Sequence, residues 1–418
     1  MLNYIWAAFF LIGFVVAMIQ VICFGQTHLL ADMMNNLFDS AKNGFEISLG
    51  LTAMMSLWLG IMNVGEKAGV IRVFSKAVAP FFRTLFKSIP KDHPAYGSIM
   101  MNFSANMLGL DNASTPLGLK AMNELQELNP NKETASNDQI MFLVLNTAGI
   151  TLIPTSVIAM RQTIALEQHV VGFNAADIFL PTLIATFIAF ISGMIIVAIY
   201  QRINLFRLPV LLFVGGFTAF IFLLFRLLSG MPAEQVNSAM GAIGSGVILT
   251  IIMLFIGAGI YQKQKVYDHF IDGAKEGFNV AVRIIPYLIA MLAGISIFRT
   301  SGCMDFVVNG IGKAAGAVGL PTDFVPALPV AIMKPLSGSG ARGMMVDVMR
   351  TYGVNSFQGK LAAIIQGSTE TTFYVLAVYF GSVQIKNTRH AVVCGLLADM
   401  IGLVGAIVVG YIFFHPGH

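Results

Sequence analysis

Charge is scarce in this chain. Asp, Glu, Lys and Arg together make up 11% of its 418 residues, against about 25% in a soluble domain. With 56% hydrophobic residues and a mean hydropathy of +0.77, the chain describes a protein whose solvent is mostly lipid. Cysteine is nearly absent. Cys23, Cys303 and Cys394 stand far apart with no C-x-x-C between them, and an odd count without paired spacing argues against a disulfide framework. HExxH, Cys/His metal spacing and a G-x-S-x-G elbow are all missing, and the seven histidines stand singly. Gly310-Ile-Gly312-Lys-Ala-Ala-Gly316 has neither the spacing nor the context of a phosphate-binding loop; it reads as a small-residue helix face. The sequence therefore supports no enzyme, no metal site, no cofactor and no intrinsic ATP motor. The net charge of +4 is too small and too dispersed to recruit nucleic acid.

What the chain does contain is long apolar runs. A helix needs about 20 predominantly apolar residues to cross a bilayer. Nine segments qualify: 2–24, 44–63, 139–160, 176–200, 206–230, 238–262, 278–298, 358–381 and 390–414. Residues 2–24 lack a basic n-region and an A-x-A site, so they read as a first membrane helix and not as a signal peptide. Two further segments, 94–128 and 323–351, are apolar but interrupted by Gly, Ser, Asn and Pro. Irregular backbone at membrane depth is tolerated only inside protein, which predicts two re-entrant or broken-helix elements. The expected fold is an all-α polytopic membrane protein.

Orientation follows from Lys and Arg. The loop after the second span holds Lys67, Arg72, Lys76, Arg83, Lys87 and Lys91, and short basic loops stay cytoplasmic. With each interrupted segment returning to its own side, the basic loops around Arg202, Lys263 and Lys386 also fall inside. The expectation is a bacterial inner (plasma) membrane protein with a cytoplasmic N-terminus and a periplasmic or extracellular C-terminus. The strip at 69–87 reads as an interfacial helix touching anionic lipid.

The chain repeats itself. Residues 39–45 read Asp-Ser-Ala-Lys-Asn-Gly-Phe and residues 272–278 read Asp-Gly-Ala-Lys-Glu-Gly-Phe. Each copy leads into a span, an amphipathic stretch (69–87 and 303–318), an interrupted segment and a span with a polar middle. The predicted organisation is 1–205, a connecting helix within 206–237, and 238–418. In the topology above the two halves are inverted repeats, a recurring plan among secondary transporters.

Four polar clusters sit at membrane depth. They contain Asn106, Asp111, Asn112, Ser114 and Thr115; Lys334, Ser337, Ser339 and Arg342; Asn146 and Thr147; and Gln366, Ser368, Thr369 and Glu370. Polar runs inside apolar spans are costly unless they face a cavity or a protein partner. Pro116 is expected at the first position of a new helix, whose free N–H groups would suit an anionic or polar ligand. Each cluster also has a plainer interpretation. Membrane Ser and Thr often bond only a nearby carbonyl, the Ser-Gly-Ser-Gly run can serve as a hinge, and Lys334 and Arg342 can neutralise Asp111 or Glu370. Arg283 and Asp399, also within spans, read as internal pairs.

Asn106-Met-Leu-Gly-Leu-Asp-Asn-Ala-Ser-Thr-Pro-Leu-Gly-Leu-Lys-Ala-Met122 resembles the signature of the spore maturation protein A family. Lys334-Pro-Leu-Ser-Gly-Ser-Gly-Ala and Gly367-Ser-Thr-Glu-Thr-Thr-Phe-Tyr-Val-Leu-Ala-Val-Tyr-Phe-Gly-Ser382 resemble those of spore maturation protein B. The chain looks like a fusion of the two, which implies a nucleoside recognition (Gate) domain in each half, as in concentrative nucleoside and ferrous iron transporters, and a transport or gating role. The expected function is export or uptake of a small polar solute coupled to a proton or sodium gradient. The alternative is a non-transporting membrane scaffold assisting cell-envelope or spore maturation. The expected partners are that solute, the coupling ion and membrane lipid; the sequence is also compatible with a homo-oligomer.

Overall fold

The computed structural model describes residues 2–90, 92–109, 111–228 and 233–415; the side chains of 2–3, 111–113, 228, 233–237 and 283 fall outside the description. The chain is all-helical. The first half runs α1 (Leu2–Phe24), α2 (Leu29–Lys67), α3 (Val70–Leu85), α4 (Ala95–Met107), α5 (Asp111–Leu128), α6 (Asn137–Thr147), α7 (Thr155–Glu167) and, after a short 3-10 turn Ala175–Ile178, α8 (Phe179–Gln201). α9 (Leu208–Leu228) connects. The second half repeats the order: α10 (Ala233–Tyr261), α11 (Val266–Thr300), α12 (Cys303–Ala317), α13 (Leu328–Met333), α14 (Gly338–Tyr352), α15 (Phe357–Ser368), α16 (Thr372–Ser382) and α17 (Ala391–Phe414).

Among the described residues, eight helical segments are long and apolar enough to cross a membrane, so the chain is a multi-pass membrane protein. Large apolar side chains on α1 and α9, such as Leu11, Phe24, Leu212 and Phe222, are exposed, as a lipid-facing surface requires. Eight of the nine expected spans have counterparts. The ninth, 139–160, is not one helix: α6 and α7 are separated by residues 148–154. The span expected at 358–381 is likewise divided, by extended backbone at Thr369–Thr371. Two other helices run beyond the expected spans: residues 44–63 and 278–298 lie within α2 and α11, which have 39 and 35 residues. At 1.5 Å per residue α2 is about 58 Å long, well beyond a hydrocarbon core of about 30 Å.

α2 and α11 lie against each other and run antiparallel. A Cβ on Gly44 would sit 3.1 Å from the Ile289 backbone, and one on Gly277 would sit 2.5 Å from the Met55 carbonyl. A Cβ on Gly273 would lie 2.3 Å from the Leu59 carbonyl, and one on Gly60 would lie 2.6 Å from the Phe270 ring. Glycine is used here because no other residue lets two backbones come this close. Gly44 and Gly277 occupy the same place in the repeated Asp-x-Ala-Lys-x-Gly-Phe motif. Each long helix also ends in a left-handed glycine, Gly69 (φ 73°) and Gly302 (φ 77°), before its amphipathic helix α3 or α12. α8 and α17 form a second antiparallel contact, with Gly193 against Ala398 and Gly402 against Ala189.

The interrupted segments are helical hairpins, α4–α5 and α13–α14. In the first, Gly109 takes the left-handed conformation (φ 73°) after α4, with its α-carbon so close to the Ile153 carbonyl that a Cβ would lie at 2.6 Å. α5 starts directly after this turn, at Asp111, so Pro116 lies inside the helix and not at its first position as expected.

A buried charge cluster joins the halves. Arg161 of α7 is fully buried, bonds the Ala175 carbonyl at 2.8 Å and pairs with Asp177, whose other oxygen is 3.0 Å from Lys360 of α15. Removing the shared carboxylate leaves two buried cations uncompensated, at a cost of about 3–5 kcal/mol. Asp177→Asn is accordingly expected to lower the thermal unfolding midpoint in detergent sharply, or to prevent recovery of folded protein. At the α2–α11 seam, Gly273→Ala and Gly277→Ala are each expected to lower the same midpoint, at about 1–3 kcal/mol for an overpacked contact. Gly215→Ala, which meets nothing within 4 Å, leaves it unchanged or raises it.

Candidate functional site

The backbone breaks meet one another. In the first half, the Leu152 N–H in the α6–α7 break donates to the Met107 carbonyl at the end of α4, at 2.7 Å. In the second, the Phe373 N–H at the start of α16 donates to Pro335 in the α13–α14 break, at 3.2 Å. Between halves, the Glu370 N–H donates to Thr147 at the end of α6, at 2.7 Å. These bonds satisfy carbonyls that a terminated helix would otherwise leave open.

Around this junction lies a cavity of about 820 Å³, lined by both halves. Of the residues singled out from sequence, Asn106, Ser114, Thr115, Asn146, Lys334, Ser337, Ser339, Arg342, Gln366, Thr369 and Glu370 line it. Thr147 and Ser368 do not. Thr147 is fully buried behind the wall and contributes its carbonyl, and the Ser368 hydroxyl donates to Ile365 at 2.8 Å. The side chains of Asp111 and Asn112 lie outside the described residues, as does that of Arg283.

Local hydrogen bonds shape the wall. The Asn106 amide donates to the Asn146 side-chain oxygen at 2.8 Å, and Asn146 donates to the Phe142 carbonyl at 2.8 Å. Ser337 caps α14 by accepting from Gly340 N–H at 3.0 Å. Lys334 is buried, Arg342 is half-buried, and Glu370 is exposed in the break between α15 and α16, not midway along a continuous helix. Arg342 and Glu370 form no ion pair with each other; the Asp111 side chain, the other partner considered from sequence, lies outside the described residues. Asp399 is buried on α17 and accepts a hydrogen bond from the Thr372 hydroxyl at the start of α16. Asp399 also lies within electrostatic reach of Lys334.

Several wall residues carried no sequence signal of their own. Thr155 and Ser156 begin α7, and Tyr287 of α11 and Tyr374 and Tyr379 of α16 bring phenol groups from two helices. The tyrosines lie in ordinary apolar runs, and only the tertiary arrangement brings them together. A second cavity, of about 800 Å³, lies beyond the first turns of α5 and is lined by residues including Asn63, Glu66, Arg72, Asp272 and Glu276. Ser114 and Thr115 face the first cavity, while Pro116 and Leu117 face the second.

Comparison with known proteins agrees with the repeat. The Gate family model, described as nucleoside recognition, matches residues 48–163 and 281–386. The chain is 44% identical to spore maturation protein B of Bacillus subtilis (strain 168) over 168 residues, which cover 40% of this chain and 91% of that protein. It is 42% identical to spore maturation protein A of the same organism over 196 residues, covering 47% of this chain and 93% of that protein. A more distant relative is the Fe(2+) transporter FeoB of Legionella pneumophila, 27% identical over 164 residues, covering 37% of this chain and 20% of that protein. No solved structure matches the chain significantly. With two Gate segments and halves similar to spore maturation proteins A and B, the chain belongs to the Gate (nucleoside recognition) family of membrane proteins.

Proposed function

We propose that this chain is an ion-coupled secondary transporter of a small polar solute in a bacterial inner membrane, with a cytoplasmic N-terminus. Residues 1–205 and 238–418 act as inverted-topology repeats joined by the helix within 206–237. The observation that carries the proposal is the cavity of about 820 Å³ at the junction of paired helix breaks from both halves. The antiparallel α2–α11 and α8–α17 contacts fit halves related by a rotation axis in the membrane plane. Broken helices ending at a shared site are the recurrent design of such carriers. A scaffold has no need of a polar cavity there.

The solute site in this reading is the cavity wall, with Asn106, Ser114, Thr115, Asn146, Lys334, Ser337, Ser339, Arg342, Gln366 and Thr369 as contacts. The second cavity, separated by the first turns of α5, serves as the route to the cytoplasm. Glu370 is the coupling group: an exposed carboxylate in a break can take up a proton or sodium ion and release it when the break reorganises. Its backbone is tied to the other half through Thr147, so movement there is felt across the repeat.

Purified protein in liposomes, supplied with a panel of labelled polar metabolites, tests this reading. Accumulation of at least one solute is expected only when a proton or sodium gradient is imposed. Glu370→Gln should fold normally and reduce gradient-driven accumulation at least tenfold. Failure of every solute to accumulate would favour the scaffold function. Full gradient dependence in Glu370→Gln would remove Glu370 from the coupling role.

A further inference from the structure

Charge at membrane depth is costly unless it is paired or faces a cavity. Three charged side chains line the central cavity among the described residues: Lys334, Arg342 and Glu370. Lys334 is accounted for within the protein. It is 4% exposed, has an interaction of its own and stands within electrostatic reach of the buried Asp399. Arg342 and Glu370 are different. Neither side chain takes part in a hydrogen bond or an ion pair among the described residues, and neither is buried.

Either one alone would pass for a solvated charge. Their placement argues otherwise. α14 carries two further charged residues, and both are paired: Asp347 with Arg299 of α11, and Arg350 with Glu167 of α7 at 2.7 Å. Arg342 is the exception, and it is the one that lines the cavity. Glu370 is close by. A Cβ on Gly338, four residues before Arg342, would lie 2.9 Å from the hydroxyl oxygen of Thr371, the neighbour of Glu370. The Phe373 N–H also bonds the Pro335 carbonyl just ahead of α14, at 3.2 Å. Arg342 therefore lies about 6 Å along α14 from the contact with the Glu370 break. Two opposite charges on touching elements line one cavity without closing into a bridge.

A nearby acceptor is also unfilled. The Gln366 side-chain oxygen, in a residue 5% exposed and four residues before Glu370, has no donor. Orphaned polar atoms this deep are exceptional, and this one calls for an N–H or O–H group.

We infer that the solute is a small zwitterion, an amino acid or short peptide. Its carboxylate pairs with Arg342, and its ammonium pairs with Glu370 and donates to Gln366. This rests on the transporter reading of the same cavity and narrows it. A guanidinium matches a carboxylate through two parallel hydrogen bonds, and an ammonium brings three donors to acceptor oxygens. A solute with a single charge satisfies one of the two groups and strands the other; a neutral solute strands both. Glu370 serves the ammonium and the coupling cation in turn, which fits exchange of solute for ion.

Equilibrium binding to the full chain in nanodiscs, without any gradient, tests the charge pattern independently of transport. The probes are the labelled protein amino acids, D-alanine and alanyl-alanine. Each is set beside its N-acetyl form, which lacks the cation, and its amide, which lacks the anion. At least one zwitterion is expected to bind at least tenfold tighter than both of its derivatives. Glu370→Gln should erase the preference over the N-acetyl form and keep that over the amide; Arg342→Gln should do the reverse. Should either variant not fold, the three-way comparison on the unmodified chain decides the same question. Binding of no zwitterion, or a preference below tenfold over either derivative, overturns the inference, as does a folded variant that keeps both preferences. Zwitterion binding without gradient-driven uptake in liposomes would sink the transport reading alone. Gradient-driven uptake of a neutral or singly charged solute that no zwitterion inhibits would sink the zwitterion alone.

Discussion

Backbone that leaves a helix inside a bilayer must find its hydrogen bonds within the protein, because lipid offers none. This constraint organises the molecule. Helices stop at Met107, Thr147, Met333 and Ser368, all within apolar stretches. Each of the four resulting breaks is bonded to another, through Leu152 to Met107, Phe373 to Pro335 and Glu370 to Thr147. The bond between Glu370 and Thr147 links the halves, so the junction belongs to neither half alone. The close-packed glycine seam of α2 and α11 and the Arg161–Asp177–Lys360 cluster hold the halves in the register this bond requires.

The same junction creates the site. Ending a helix in the middle of a protein exposes N–H groups and partial charge that a continuous helix would hide. The hydroxyl and amide side chains gathered there serve both the architecture and the cavity. Asn146 bonds the Phe142 carbonyl and also orients Asn106 at the cavity wall. Ser337 caps α14 while its hydroxyl lies 3.3 Å from that of Ser339. Structural and ligand-facing roles are therefore shared by the same residues, and the site needs few that are purely functional.

Much of this was legible in the sequence, for definite reasons. Long apolar runs place most helices, and Gly, Pro, Asn and Ser within apolar stretches announce the hairpins at α4–α5 and α13–α14. The repeated Asp-x-Ala-Lys-x-Gly-Phe motif signals the duplication. The division of α15 from α16 was not legible, because Thr369-Glu370-Thr371 contains neither Gly nor Pro and the flanking apolar run hides it. The extended backbone there is chosen by tertiary hydrogen bonding, which local propensity does not encode. The α6–α7 break carried Gly149 and Pro154 as signals, but the hydropathy of 139–160 overrode them. The buried pairing of Arg161 and Lys360 with Asp177 was equally hidden, since the three lie on separate elements and only packing unites them.

The central claim is that the cavity and the fold exist only as a joint product of both halves. Cutting the chain in the loop before α9 and expressing residues 1–205 and 206–418 as separately tagged polypeptides tests it most directly. The account predicts that the two copurify in equal amounts, with a thermal midpoint close to that of the intact chain, and that either one alone aggregates in detergent. Recovery of each half by itself as a monodisperse, folded species with the stability of the intact chain would contradict it.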